Sequence, residues 1–222
     1  KNRMQIFVVN GAHVKNVPGR KSDVQDCQWI QQLHSYGLLN SSFVPNNTIR
    51  KLRTYIRLLD DHIEMASAHK LHLQKAFDLM NVKIHNVISD ITGTSGMLII
   101  RAIIEGERDT NKLALLCNKQ ILNKKKDQVI ASLEGNYDEE YIFALKQAVS
   151  CLDFYLLQIN ECDKKIESLL HEMTQKKSAP QQMKSVKVIK SHKPDIEDLH
   201  FLLMKLTDGK DASQIPGLTD QT

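Results

Sequence analysis

Two long stretches of this chain repeat large apolar residues at alternating steps of three and four, and that spacing limits the fold more than any other feature. Between Thr48 and Met80 the positions are Ile49, Leu52, Ile56, Leu59, Ile63, Ala66, Leu73, Phe77 and Met80, with Lys70 as the one break. Between Ile142 and Met173 they are Ile142, Leu145, Val149, Leu152, Leu156, Ile159, Ile166, Leu170 and Met173, broken at Asp163. A mean step of 3.5 keeps every such side chain on one stripe of a helix, and the stripe must be buried against another. The simplest solution is an antiparallel coiled-coil pair with residues 81–137 as a small helical insertion at its tip. Parallel pairing between two copies satisfies the same stripes. With Met80 beside Asp138, Lys70 falls opposite about position 148 and Asp163 opposite about 55, so the two breaks do not pair with each other.

Composition agrees with a mainly α chain. Hydrophobic residues are 41%, charged residues 25% and aromatics 5% of the 222 residues. Scarce aromatics beside abundant Leu, Ile, Lys, Gln and Glu disfavour sheets. No run approaches the ~20 uninterrupted apolar residues of a membrane span, so the expectation is a cytoplasmic protein without a membrane partner. Cys27, Cys117, Cys151 and Cys162 lie far apart without a CxxC pair, which points to reduced, buried thiols rather than to a disulfide framework or a zinc site. The chain begins at Lys1 without a Met or a secretory layout, and that residue is expected to be an interior position of a longer protein.

Along the chain, Met4 to Val9 reads as a buried strand closed by Asn10 and Gly11. A loop follows, with Pro18, Gly19 and the cations Lys15, Arg20 and Lys21. Ser22 and Gln25 have capping-box spacing. Val24, Cys27, Ile30 and Leu33 then recur at helical period until Gly37. Between the seams, GTSG at 93–96, MLIIRAIIEG, NKLALL and DQVIASLEG read as short helices. Residues 177–194 form a polar, basic linker, Asp195 to Leu206 resumes helical spacing, and IPGL at 215–218 begins a turn.

Charge is uneven. The net value is +4, yet residues 1–60 hold nine Lys or Arg against three Asp, and residues 61–222 hold 21 against 23. A basic N-terminal part suits a nucleic-acid partner through counterion release. Within it, Asp23 and Asp26 lie three apart in a first helical turn, so their carboxylates share a face. Such a pair can supply oxygen ligands to Mg²⁺, the ion that nucleases and recombinases use to hold attacking and leaving oxygens. The plain alternative is that aspartates favour a first turn because they face the positive end of the helix dipole. Lys15, Arg20 and Lys21 could neutralise phosphates beside the acids or form a solvated basic loop. Lys124 to Lys126 and the lysines of 176–193 are weaker candidates of the same kind. His62, His69 and His72 have no metal-ligand spacing and read as seam-flanking, and Trp29, Tyr55, Tyr141 and Tyr155 read as packing residues.

The segment VVNGAHVKNVPGRKSDVQDCQWIQQLHSYGLLNSSFVP resembles the end of the RuvC-like (RNase H-like) domain in the Piv/MooV type of insertion-sequence transposases. Those enzymes carry an Asp-Glu-Asp-Asp metal set whose last two acids lie in K-(S/T)-D-x-x-D, here Lys21-Ser22-Asp23-Val24-Gln25-Asp26. The resemblance implies that residues 1–45 are a remnant of an α/β RuvC-like domain and that 46–176 are a coiled-coil domain with 81–137 at its tip. It further implies a basic linker at 177–194 and, at 195–222, the start of a C-terminal transposase domain. It implies Mg²⁺ or Mn²⁺ as cofactor, DNA and a structured guide RNA as partners, and a homo-oligomer, dimer or tetramer, built through the coiled coil. The other two acids of the set are expected before Lys1 and the serine nucleophile beyond Thr222. Ser178, Ser185, Ser191 and Ser213 lack its context, and the chain alone is expected to be inactive. Two other readings stand beside this one: a non-catalytic coiled-coil assembly or scaffold module that binds nucleic acid, and a Holliday-junction resolvase.

Overall fold

A computed structural model of the chain describes residues 8–14, 23–175, 177 and 194–211. They are mainly helical. Helix α1 is a single turn, Gly11–Val14, and α2 runs Asp23–Ser35. The long α3 covers Asn47–Leu79, followed by a 3₁₀ turn at Ile84–Asn86. Shorter helices α4 (Thr94–Ile104), α5 (Thr110–Leu115) and α6 (Lys119–Ser132) lead into α7, Glu139–Thr174, and α8 is Leu199–Leu206. The expected strand at Met4 to Val9 lies mostly outside the described residues, and Val9 forms an isolated antiparallel bridge with Ser41.

The chain divides into two compact units, Lys1–Lys51 and Leu52–Thr222. In the first, α2 stops where the spacing of apolar residues stops. Gly37 takes a left-handed φ of 67°, the Leu38 amide donates back to the Leu33 carbonyl at 2.9 Å and the Gly37 amide to that of His34. Glycine ends helices this way because it adopts that backbone without a Cβ penalty. The expected apolar face of α2 is not buried: Val24 is 66% and Ile30 40% exposed. No described residue of this unit falls in the buried class, so those side chains have no core to enter.

The second unit is built on α3 and α7. Leu73, Ala76 and Phe77 of α3, with Met80 in the turn after it, share a core with Leu145, Ala148, Val149 and Leu152 of α7. Further along, Leu59 shares a second core with Cys162, Ile166 and Leu170. Early α3 therefore meets late α7, and late α3 meets early α7. Each fully buried Leu or Phe contributes about 1.5–3 kcal/mol, which offsets the low intrinsic helicity of β-branched positions. The turn at Met80 is pinned by the Asn136 amide on its carbonyl at 2.8 Å. The stripe on α7 differs from expectation at one step: Leu156 is 46% exposed, and Tyr155 packs toward the core instead, against His62 and His69.

The tip is a cluster of short helices around Ile99, Ile100, Ile103, Leu113 and Val129. Side chains close their starts: Asp109 accepts from the Asn111 and Lys112 amides, and Asn118 from that of Ile121. Arg101 clamps α4 to α7 through two 2.8 Å contacts with the Asp153 carboxylate. The stretch from 195, expected to open a separate C-terminal domain, places Ile196, Leu199 and Leu202 in the same core as Leu59, Cys162 and Ile166. Its helix starts at Leu199, later than the spacing implies, because Asp198 adopts a positive φ of 53°.

By length and composition α7 is the one described helix that could cross a membrane. The core helix of a soluble protein passes the same test, and its buried side chains extend from Leu145 to Thr174.

Candidate functional site

Asp23 and Asp26 are both in the first turn of α2, and both are exposed. Spaced three apart at the start of a helix, they share a face near the unpaired first-turn amides and are open to solvent. Trp29, in the next turn of α2, donates its indole N–H to the Val14 carbonyl at 3.2 Å. That bond ties α2 to α1 across the segment that carries Lys15, Arg20 and Lys21, three residues that lie outside the described ones. The reading of Trp29 as a packing residue agrees with this role.

Among the described residues no group of three or more His, Cys, Asp or Glu is placed to hold a metal ion. The structure places Asp23 and Asp26 three residues apart in one first turn, with no third acid grouped with them among the described residues. Two carboxylates at that spacing fit Mg²⁺, which takes one or two of them and fills its shell with water and phosphate oxygens.

Other sequence candidates separate clearly. The described part of the basic N-terminal region is Arg50, Lys51, Arg53 and Arg57, all exposed at the start of α3. Asp60, Asp61 and Glu64 follow them along α3. Lys125 is spent on the Val87 carbonyl at 3.1 Å. Lys177 pairs with Asp208 at 2.9 Å and also donates to the Leu206 carbonyl. It is a structural tie. The cysteines are all free, as expected of reduced thiols, but Cys27 is exposed, whereas Cys117 and Cys162 are buried. Cys27 is exposed because its α2 face meets no buried residue among the described ones.

For two groups already noted in the sequence, the structure adds surroundings that spacing did not show. His69 stacks on Tyr155 with centroids 5.6 Å apart and meets His72 edge-on at 5.3 Å. The two histidines line an open groove of about 350 Å³ together with Leu79, Ala144 and Cys151. The second is Asp163, the break in the α7 seam, which is buried at 7% exposure. Its position in the heptad was the only available signal.

Residues 1–82 match a family model described as Transposase, the DEDD type named for IS110. The match covers 82 of 222 residues; it includes Asp23, Asp26 and Trp29 and extends through α3. No curated protein matches the chain, and no solved structure does.

Proposed function

We propose that this chain acts in DNA transposition as an insertion-sequence transposase, with Asp23 and Asp26 as the last two acids of a four-acid metal site. The observation that carries the reading is the transposase match over residues 1–82, which contains Lys21-Ser22-Asp23-Val24-Gln25-Asp26. The exposed placement of both carboxylates on one helical turn supports it. Bound there, Mg²⁺ or Mn²⁺ would stabilise the charge that develops on the attacking and leaving oxygens of a phosphodiester. The chain's own residues do the rest. Asp23 and Asp26 orient the ion from the N-terminus of α2, a position that also favours phosphate. Trp29 ties α2 to α1 through Val14, and Lys15, Arg20 and Lys21 neutralise neighbouring phosphates without reading bases.

The same reading makes 1–45 a RuvC-like element and 46–176 a coiled-coil domain, and it makes a structured RNA a second partner in the cytoplasm. The test is strand cleavage and joining by the complete protein in Mg²⁺. Asp23→Ala and Asp26→Ala should each abolish both, and wild-type joining by either variant removes the site assignment.

A second reading has its own observation. Leu58, Met65 and Leu79 are 43–51% exposed at seven- or fourteen-residue intervals along α3, and Phe154 is 55% exposed on α7. Leu79 also lines the open groove between the two helices. An apolar line of this kind suits the α3–α7 pair of a second copy, as an assembly module would need. Sedimentation separates the cases: a dimer or tetramer that dissociates in Met65→Glu supports assembly through this face. A strict monomer at tens of micromolar removes it.

A further inference from the structure

Asp163 sits where a seam residue should be apolar, inside the core that joins α7 to the strap formed by residues 194–211. It is 7% exposed, and its Oδ1 has no hydrogen-bond partner. The backbone N–H of Asp195, at the start of the strap, acts on its carboxyl group. The strap is otherwise held by Ile196, Leu199 and Leu202, buried against Cys162, Ile166 and Leu170. Its far end is held by Lys177, which pairs with Asp208. A hydrogen-bonded carboxyl group therefore sits at the leading end of a docking surface that is otherwise held by apolar side chains. A buried carboxylate of this kind is costly when charged and far less so when neutral.

We infer that Asp163 is a proton-controlled latch: the strap 194–211 docks on α7 when Asp163 is neutral and loosens when it is ionised.

The surroundings set the direction. Burial pushes the Asp163 carboxyl above its usual value, and the negative charges of Asp195 and Glu167 push the same way, while the Asp195 amide pulls it partly back. Asp195 comes from the strap and Glu167 from α7 itself. Cys162, the neighbouring thiol, is raised by burial and by the charge of Asp163. From the remaining elements, α3 contributes Tyr55 and α8 carries His200. When the strap leaves, Asp163 returns toward the ordinary aspartate value of 3.8. A carboxyl whose pKa is higher docked than undocked binds its proton more tightly when docked, so docking is strongest at low pH. It weakens by up to about tenfold per pH unit between the undocked and docked values, and is constant above the latter.

Hydrogen exchange on the intact chain, with each amide rate divided by its intrinsic rate at the same pH, reads this directly. Amides of Leu199–Leu206 should lose protection as pH rises from about 4, while those of Ile99–Ile103 in the tip hold theirs. Asp163→Asn keeps the shape and an oxygen acceptor but cannot ionise. It should give strap protection that no longer varies with pH and exceeds wild type at pH 7. A slope in Asp163→Asn equal to that of wild type, which would place the proton on His200 or Asp195, overturns the latch. So does a loss of strap protection at every pH, which would make Asp163 a plain structural acceptor. If Asp163→Asn fails to fold, Asp195→Asn serves instead. It removes a repelling charge and keeps the amide, so the midpoint should move to lower pH. An unmoved midpoint contradicts the proposal.

Discussion

The described residues up to Lys51 and those from Leu52 onward are both mainly helical, yet only the second set builds a buried core. In the first region no described residue is buried, and Val24, Ile30, Leu38 and Phe43 are 40–87% exposed. In the second, Phe77, Leu73, Ile99 and Leu145 are 0% exposed within one continuous core. The difference teaches what each region is for. The second region has its own core, so the residues that build that core are explained by stability, while Leu58, Met65, Leu79 and Phe154 stay outside it. The first region holds the acid pair and a helix whose apolar face finds no partner among the described residues, so its residues are better explained by what they meet outside it. A buried core says little about chemistry, whereas an exposed acid pair in one helical turn says more.

This contrast can be broken most forcefully in the core. Phe77→Ala should cost about 3–5 kcal/mol in chemical denaturation, because the lost contacts leave a cavity in a close-packed site. Val24→Ala should change stability by less than about 0.5 kcal/mol, as exposed substitutions do. Equal losses would mean that the two regions do not differ as described. Next comes Gly96→Ala in α4. The new methyl would lie 2.0 Å from the Ile91 carbonyl oxygen, so the backbone must shift, and a loss of about 1–3 kcal/mol in the same assay is expected. Asp109→Ala removes the side chain that accepts from two amides at the start of α5 and should cost about 1 kcal/mol. A smaller loss than that of Asp109→Ala is expected for Arg101→Ala. Its pair with Asp153 is doubly bonded, but the side chains are 50% and 41% exposed, which limits the loss to about 0.2–1 kcal/mol, reduced further by salt.

The second region was largely legible in the amino-acid order, because burial there depends on helical spacing alone. The stripes expected at 48–80 and 142–173 correspond to α3 at Asn47–Leu79 and α7 at Glu139–Thr174. Gly37 marked the end of α2 for a reason visible in any sequence, its tolerance of positive φ. What failed to show is equally physical. Heptad spacing cannot tell whether Leu156 or Tyr155 turns inward, since the two are adjacent and the choice is made by the rings of His62 and His69 across the groove. It cannot tell that Asp163 is tolerated in a core, which depends on an amide some thirty residues away. Nor can periodicity report that Val24, Cys27 and Ile30 stay exposed, because the pattern reveals a face and never what covers it. The acid pair itself was legible only as a preference for the first helical turn until the flanking Lys21-Ser22 pattern was read with it. Lys15, Arg20 and Lys21 remain part of the proposal, outside the described residues.

If the exposed acid pair, rather than the buried scaffold, carries the chemistry, metal binding must depend on it. Mn²⁺ affinity can be followed by water-proton relaxation on the complete protein with Asp23→Asn and Asp26→Asn as variants and Asp163→Asn as the scaffold control. Removing a direct ligand should weaken binding at least as much as removing an outer-shell partner, by about a hundredfold, while Asp163→Asn leaves it unchanged. Unaltered Mn²⁺ affinity in both Asp23→Asn and Asp26→Asn would contradict the account.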